Sequence, residues 1–190
     1  MTMGEVKPSE EALLEQARSG DARAFSELVR IHQDEVFTLA TRLVNDRQLA
    51  ADVSQEAFIR AWRALPKFRG DARFSTWLHR IVVNAAWSMR RAQQRHAVSP
   101  LSDGYLEPSA EGDDPQDLAT VASLRPRLLS ALSQLSAPVR AVVVLKDIYD
   151  WPHREIADHL GITTTAAKVR LHRGRKQLHD LLWAELGSAD

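Results

Sequence analysis

The most informative absence in this chain is cysteine, which does not occur among its 190 residues. Without thiols the chain forms no disulfide, holds no Cys-ligated zinc and offers no thiol nucleophile. No apolar run approaches the roughly 18 residues of a membrane span, and the start, MTMGEVKPSEEALLEQ, lacks the basic-then-apolar order of a signal peptide. We therefore expect a cytoplasmic protein of one ordinary domain or two small ones.

Net charge is also absent, because 25 Lys and Arg balance 25 Asp and Glu. The balance is uneven along the chain: residues 1–97 hold 15 basic and 12 acidic side chains, and residues 125–190 hold 10 and 7. Between them, residues 98–124 hold six acidic and no basic side chains. Two mildly basic segments, each with a net charge of +3, thus flank an acidic segment with a net charge of −6.

The acidic segment has the composition of a solvated linker. It contains Pro100, Pro108 and Pro115 and has little apolar periodicity, so it cannot build a core of its own. A plain spacer and a segment with an acidic function both remain open from composition alone.

The flanking segments predict helices throughout, with no sheet and no repeat. Gly20-Asp21 and Asn45-Asp46 interrupt the apolar periodicity, Pro66 ends a helix, and Ser75 is a candidate N-cap. The predicted helices cover residues 10–18, a longer stretch through 25–43, and residues 49–65, 75–95, 124–135, 139–149, 153–160 and 164–182.

A helix-turn-helix is predicted near the C-terminus, where a short helix, Gly161 and a second helix follow one another. In the second helix Lys168, His172 and Arg175 share the outer side with Arg173. Such a stripe suits phosphates and base edges in a major groove. The alternative is a solvated basic helix.

The helix over 75–95 divides into two faces. Trp77, Ile81 and Ala85 repeat every four residues and should be buried. The opposite face suits single-stranded nucleic acid, because cations hold a backbone, an indole stacks on a base and an amide reads a base edge. This face carries Arg80, Asn84, Trp87 and Arg91, and the loop before it carries Lys67, Arg69 and Arg73. Alternatively, Trp87 covers a neighbouring helix and the arginines are simply solvated.

A third face, on the helix over 49–65, is mostly acidic and amidic. Asp52, Gln55, Glu56, Ile59 and Arg63 fall three or four residues apart, opposite the apolar stripe. This spacing is typical of a solvated helix face, and an exposed Ile59 hints at a protein partner.

Three motifs in order resemble the sigma-70 family of bacterial transcription initiation factors, specifically its extracytoplasmic-function (ECF) group. ADVSQEAFIRAW resembles region 2.2, FRGDARFSTWLHRIVVNAAW resembles regions 2.3 and 2.4, and LSQLSAPVRAVVVLKDIYDWPHREIADHLGITTTAAKVRLHRGRKQL resembles region 4. The resemblance implies an all-α fold with a region 2 domain over 1–97, a flexible acidic linker over 98–124 and a region 4 domain over 125–190. It also implies that the linker runs through the polymerase toward its RNA channel.

The resemblance further implies three sites. Core RNA polymerase would be bound by Asp52, Gln55 and Glu56. The −10 element of promoter DNA would be melted, and its non-template strand held, by Phe68, Arg69, Arg73, Ser75, Thr76, Arg80 and Asn84, to which the helix pattern adds Trp87 and Arg91. The duplex −35 element would be read by Lys146, His153, Lys168, Val169, His172, Arg173 and Arg175. A cognate anti-sigma factor is an implied partner.

Several positions depart from the family pattern. Leu135-Ser136 stands where Leu-Pro is usual, with Pro138 as a first-turn proline. Gly174 replaces a more usual small side chain and should cost its helix about 1 kcal/mol relative to alanine. Val169 cannot hydrogen-bond a base edge but can touch a thymine methyl. Arg80 and Ile81 replace the paired tryptophans of housekeeping sigma factors, which predicts weaker melting.

Two other classes of function compete with this interpretation. A free-standing helix-turn-helix regulator would bind duplex DNA without polymerase, but it leaves the other two faces unexplained. An enzyme is disfavoured because His153 and His159 lie six residues apart, unlike an i, i+4 metal pair, and no phosphate-cradling glycine loop occurs. We expect no catalytic activity, no cofactor and no metal.

Overall fold

The computed structural model describes the backbone of residues 8–96 and 118–187, and the side chains of 8–94 and 126–183. Every regular element within these ranges is helical, which confirms the predicted all-α class. The elements are α1 (Glu10–Arg18), α2 (Ala22–Val44), α3 (Arg47–Ala64) with a 3₁₀ turn (Leu65–Lys67), α4 (Phe74–His96), α5 (Leu118–Gln134), α6 (Ala137–Val143) with a π turn (Val144–Ile148), α7 (His153–Leu160) and α8 (Thr164–Gly187). None of the described helices is long and apolar enough to cross a membrane.

Local capping chemistry accounts for the predicted helix breaks. The Asp21 carboxylate accepts a hydrogen bond from Arg23 N at 2.8 Å and begins α2. Asn45 ends α2 in the left-handed conformation (φ 54°), and Asp46 then begins α3 by accepting from Leu49 N at 3.0 Å. Short polar side chains of this kind favour caps and tolerate left-handed backbone, so the sequence prediction is confirmed at these breaks.

The described part of the N-terminal unit is a bundle in which α2, α3 and α4 pack against one another and α1 covers α2. Leu28, Leu39, Val53 and Val82 are fully buried at its centre. The predicted stripe on α4 is only partly correct, since Ala85 is buried but Trp77 and Ile81 are half-buried.

The prediction that Ser75 caps α4 is wrong. The helix begins at Phe74, because Trp77 N already donates to Arg73 O at 3.1 Å. Phe74 is 3% exposed and packs among Phe68, Trp77 and His32, and this burial fixes the first turn. Burial in a cluster of rings stabilises the earlier start more than a serine cap would stabilise the later one.

Two helix ends in the second half of the chain also differ from the prediction. Helix α5 begins at Leu118, six residues before the predicted start, and contains Pro126. Helix α8 runs to Gly187, five residues past the predicted end. The helix over 153–160 is confirmed at both ends, and Pro138 lies in the first turn of α6 as predicted.

In the C-terminal unit, α8 packs closely on α6 and is flanked by α5 and α7. Gly174 of α8 is buried against α6: a Cβ there would lie 2.8 Å from Val139 Cγ1 and would overlap Val143 Cγ2. The expected helix-propensity cost of Gly174 is therefore accompanied by a packing contact that alanine would disrupt. The absence of a side chain lets the two helix backbones approach.

The two units also contact each other, α2 against α6 and α4 against α7. Arg140 of α6 is buried between them; its guanidinium donates to Leu135 O at 2.9 Å in its own unit and to Leu43 O at 3.5 Å in the other. Asn45 Nδ2 donates to Ser133 O at 3.5 Å. A buried guanidinium with several carbonyl acceptors satisfies donors that burial would otherwise leave without partners.

Candidate nucleic-acid interface

The helix-turn-helix is held by its turn and by a small apolar core. Gly161 ends α7 with φ 66°, a left-handed conformation that glycine adopts without strain. Thr163 Oγ1 accepts from Ala166 N at 3.1 Å at the start of α8. Four buried side chains, Ile156, Leu160, Ala167 and Leu171, fix the angle between the helices. These contacts aim the outer face of α8 at solvent.

The outer face of α8 carries cations beside one apolar side chain. Lys168, His172 and Arg173 are exposed, and Val169 is 51% exposed. An exposed β-branched side chain flanked by cations suits a groove in which phosphates surround a methyl group. The predicted −35 residues of α8 therefore lie together on one accessible face.

Two other predicted −35 residues, Lys146 and Arg175, already have partners within the chain. Arg175 donates from Nε to Asp147 Oδ2 at 3.1 Å, and this pairing raises the pKa of Arg175. Lys146 Nζ lies 2.6 Å from Asp150 Oδ1, and the hydrogen bond lowers the pKa of Asp150. His153, at the start of α7, is half-buried. These side chains border the face of α8 and are less free to meet a phosphate.

On α4 the predicted −10 face is present but unequal along its length. Asn84 and Arg91 are exposed and Trp87 is half-buried against the core. Arg80 is different, because its Nε lies 2.5 Å from Glu155 Oε1 of α7. The C-terminal part of this face, with Asn84 and Arg91, is open to solvent, whereas Arg80 near its N-terminal end contacts the other unit.

The basic loop before α4 presents Arg69 and Arg73 to solvent, whereas Ser75 and Thr76 are half-buried. Phe68 is 8% exposed, and its ring packs 4.9 Å from that of Trp77 and 6.0 Å from that of Phe74. In this arrangement the ring lies in the core, and a direct contact of Phe68 with DNA stays a prediction. The apolar area of Phe68 anchors the loop to the core.

The acidic face of α3 is accessible. Asp52 and Gln55 are exposed, and Ile59 beside them is 38% exposed. Glu56 is held by Arg60, whose Nε lies 2.7 Å from Glu56 Oε1 and whose Nη2 donates to Ser88 of α4 at 3.2 Å. One guanidinium thus links the predicted polymerase-binding face to the helix with the predicted −10 face.

Sequence reasoning did not identify the residues at the contact between the units. The ring of Tyr149 meets His79 edge-on at 5.0 Å, and Arg42 Nη1 donates to Tyr149 Oη at 3.4 Å. Burial raises the pKa of Tyr149. These pairs are 70 and 107 residues apart in the chain, as Arg80 and Glu155 are 75 apart. No local pattern could have signalled them.

Comparisons with known proteins agree with this arrangement. The family model described as Sigma-70 region 2 matches residues 28–96, and that described as Sigma-70, region 4 matches residues 125–178. The chain is similar to the ECF RNA polymerase sigma factor SigE of Mycolicibacterium smegmatis, with 37% identity over 86% of this chain and 65% of the relative. It is also similar to SigW of Bacillus subtilis, with 32% identity over 88% of this chain and 96% of that protein.

A solved structure has the same fold. It is the sigma factor RpoE in complex with the anti-sigma factor NepR from Bartonella quintana, with a TM-score of 0.62 and 22% identity over 85% of this chain and 98% of that one. The chain spans about two thirds of SigE and nearly all of SigW. On the two family models and the near-complete alignment with SigW, the chain belongs to the sigma-70 family, in its ECF group.

Proposed function

We propose that this chain is a dissociable subunit of bacterial RNA polymerase that selects promoters through a −35 and a −10 element and has no catalytic activity of its own. The observation that supports it best is that each of the two units carries a helix with exposed basic and polar side chains, α4 in one and α8 in the other. A free-standing regulator needs only the second of these helices. The subunit would act in the cytoplasm, where its polymerase and its promoter DNA lie.

Core RNA polymerase is assigned to the face of α3. Asp52 and Gln55 are exposed there, and Glu56 is oriented by Arg60. A charged face beside the accessible Ile59 combines electrostatic steering with a small apolar contact, as protein interfaces commonly do.

The −35 element is assigned to the outer face of α8. Lys168 and Arg173 would bind phosphates and fix the helix in the major groove, and Val169 would contact a thymine methyl. The side chains at the border of this face, Lys146, His153 and Arg175, would also contact DNA, and Lys146 and Arg175 would first exchange their present partners. His172 lies between Lys168 and Arg175 and completes the face.

The −10 element is assigned to α4 and the loop before it. A base extruded from the duplex needs stacking and edge contacts, since unstacking costs a few kcal/mol. Asn84 offers the amide for a base edge and Trp87 offers the ring, while Arg69, Arg73 and Arg91 hold the backbone. Ser75 and Thr76 line the first turn beside them. Arg80 would join this set once it is released from Glu155.

A cognate anti-sigma factor is the proposed regulator. The solved structure with the same fold is a complex of a sigma factor with an anti-sigma factor. An anti-sigma factor would act most simply by covering the faces of α3 and α4 just described.

Run-off transcription with purified core polymerase tests this function. Added to core enzyme on genomic templates, the chain should produce start sites that core alone does not. The double variant Asp52→Asn/Gln55→Ala changes only exposed side chains of the proposed polymerase-binding face. It should lose these start sites while keeping the fold. If no start site depends on the chain, and the chain alone binds duplex DNA tightly, the free-standing regulator replaces this proposal.

A further inference from the structure

One guanidinium that belongs to neither of the proposed binding faces joins helices α3 and α4. Arg60 of α3 has its Nε 2.7 Å from Glu56 Oε1, one turn earlier in the same helix, and its Nη2 donates to Ser88 Oγ of α4 at 3.2 Å. The Ser88 hydroxyl in turn donates to Ala85 O of its own helix at 2.9 Å. These bonds form a relay from the backbone of α4 through Ser88 and Arg60 to the carboxylate of Glu56.

The packing of α3 on α4 brings these side chains within reach of one another. Ala57 and Ala61 of α3 and Ala85 of α4 are fully buried, and the size of the side chains at a contact sets the distance between two helices. The side chains of Arg60 and Glu56 are 37% and 35% exposed. The relay therefore runs along the boundary between the helix contact and solvent, where Glu56 remains accessible to a partner.

A carboxylate that is held in place binds a partner at lower entropic cost than a mobile one. A glutamate side chain without contacts samples several rotamers, and a partner must order it on binding. In the described part of the chain Arg60 takes only Oε1 of Glu56, so the second oxygen is left for a partner. The planar guanidinium suits this task, because its donors have fixed directions and can meet Glu56 and Ser88 at once.

We propose that Arg60 and Ser88 are positioning residues for the binding of core RNA polymerase, and that both act through Glu56. This inference rests on the proposed function, because it takes Glu56 to be a polymerase-binding residue. Ser88 lies on α4, one residue after Trp87, and reaches Glu56 only through Arg60. A substitution in the helix that is assigned to the −10 element should thus weaken binding to the polymerase.

The affinity of the chain for core polymerase, measured by fluorescence anisotropy without DNA, tests the relay. Arg60→Ala should weaken binding about three- to tenfold and Ser88→Ala about two- to threefold, because the partner must then order side chains that the relay holds. Arg30→Ala is the control for the ion pair, since Arg30 Nη2 lies 2.6 Å from Glu27 Oε2 on α2. Ser133→Ala is the control for the hydroxyl, since Ser133 is half-buried and donates to a carbonyl three residues earlier, as Ser88 does. Both controls should bind as wild type does.

Combined variants separate positioning from direct contact. If Arg60 acts through Glu56, Arg60→Ala should have no further effect in the Glu56→Ala background, and Ser88→Ala should add nothing to Arg60→Ala. Additive losses would mean that Arg60 or Ser88 contacts the polymerase itself. Tighter binding of Arg60→Ala would mean that the arginine screens Glu56 from the polymerase. Either result overturns the proposal.

The relay can also be observed in the free chain, by nitrogen NMR relaxation of the arginine Nε–H groups. The Nε–H of Arg60 should be more ordered than that of the exposed Arg23, and Ser88→Ala should make it more mobile without changing the urea unfolding midpoint. An Arg60 Nε–H as mobile as that of Arg23 overturns the proposal even if run-off transcription succeeds. A wild-type chain with an ordered Arg60 that does not bind core polymerase would instead reject the proposed function, and with it the role of these residues in polymerase binding.

Discussion

The two helices that we propose to contact DNA, α4 and α8, are supported in different ways. Helix α4 is anchored by large rings, since Phe74 and Phe68 at its head are buried together with half-buried Trp77. Helix α8 is anchored by the absence of a side chain, because Gly174 lets it lie directly on Val139 and Val143 of α6. A ring cluster fixes the position of a helix together with the loop before it, whereas a close helix crossing fixes only the distance and angle between two helices.

The ring cluster should have the largest effect on stability. Phe74→Ala removes a ring that is 3% exposed and should lower the free energy of unfolding by about 3–5 kcal/mol. Trp183→Ala, at a site 68% exposed on α8, is the matched control and should change it by less than about 0.5 kcal/mol. Urea unfolding of both variants makes the measurement, and similar losses would contradict the role given to the cluster.

A substitution at the Gly174 contact should have the next largest effect on stability. Gly174→Ala improves helix propensity but forces a methyl group into two valines with stiff side chains, so we expect a net loss of about 1–2 kcal/mol. Thermal unfolding measures the change. Adding Val143→Ala should relieve the overlap, so the double variant should be more stable than the sum of the two single losses indicates. Strict additivity would show that the contact is not strained.

A substitution of Asn84 tests whether α4 makes base-specific contacts. Asn84→Ala removes an exposed amide and should reduce discrimination between a cognate and a −10-altered promoter by about tenfold, or ~1.4 kcal/mol, with core binding unchanged. Run-off transcription from both templates measures it, with the exposed Gln94→Ala as control. Equal discrimination in wild type and Asn84→Ala would leave α4 with backbone contacts only.

On α8 the corresponding test concerns phosphates. Lys168→Ala and Arg173→Ala remove exposed cations, and each should lower the slope of log affinity against log salt for −35 duplex DNA by about one unit. Arg23→Ala, an exposed arginine at the start of α2, serves as control. Unchanged slopes for both α8 variants would return these residues to a solvated role.

Stability should also depend weakly on pH through His79. Burial lowers the pKa of His79, and His32 acts in the same direction, although the carboxylate of Glu35, 2.8 Å from Nε2, opposes them. Below about pH 6.5 the unfolded chain therefore binds more protons at this site than the folded one, so stability falls as pH falls and is fully present above it. Urea unfolding at pH 7.5 and 5.5 should show a smaller drop for His79→Gln than for the exposed His179→Gln.

Much of the fold followed from local chemistry. Asp21, Asn45, Asp46 and Gly161 set helix ends through side-chain caps or left-handed backbone, and each acts within a few residues of itself. The exposed faces of α3, α4 and α8 also followed from spacing, because a helix of 3.6 residues per turn places such residues on one side. Ser75 was mistaken for a cap because the burial of Phe74, a tertiary contact, overrode a local preference.

The sequence by itself determined that this chain is a set of amphipathic helices in two mildly basic segments, with a helix-turn-helix near its end. The tertiary structure alone decided that Phe68 is a core residue, that Gly174 lies at a close helix–helix contact and that Arg80 pairs with Glu155. The physical reason is the separation along the chain over which each kind of interaction acts. Caps and periodicity act over one or two helical turns, whereas burial, close helix crossings and ion pairs between units depend on which distant segments the fold brings together.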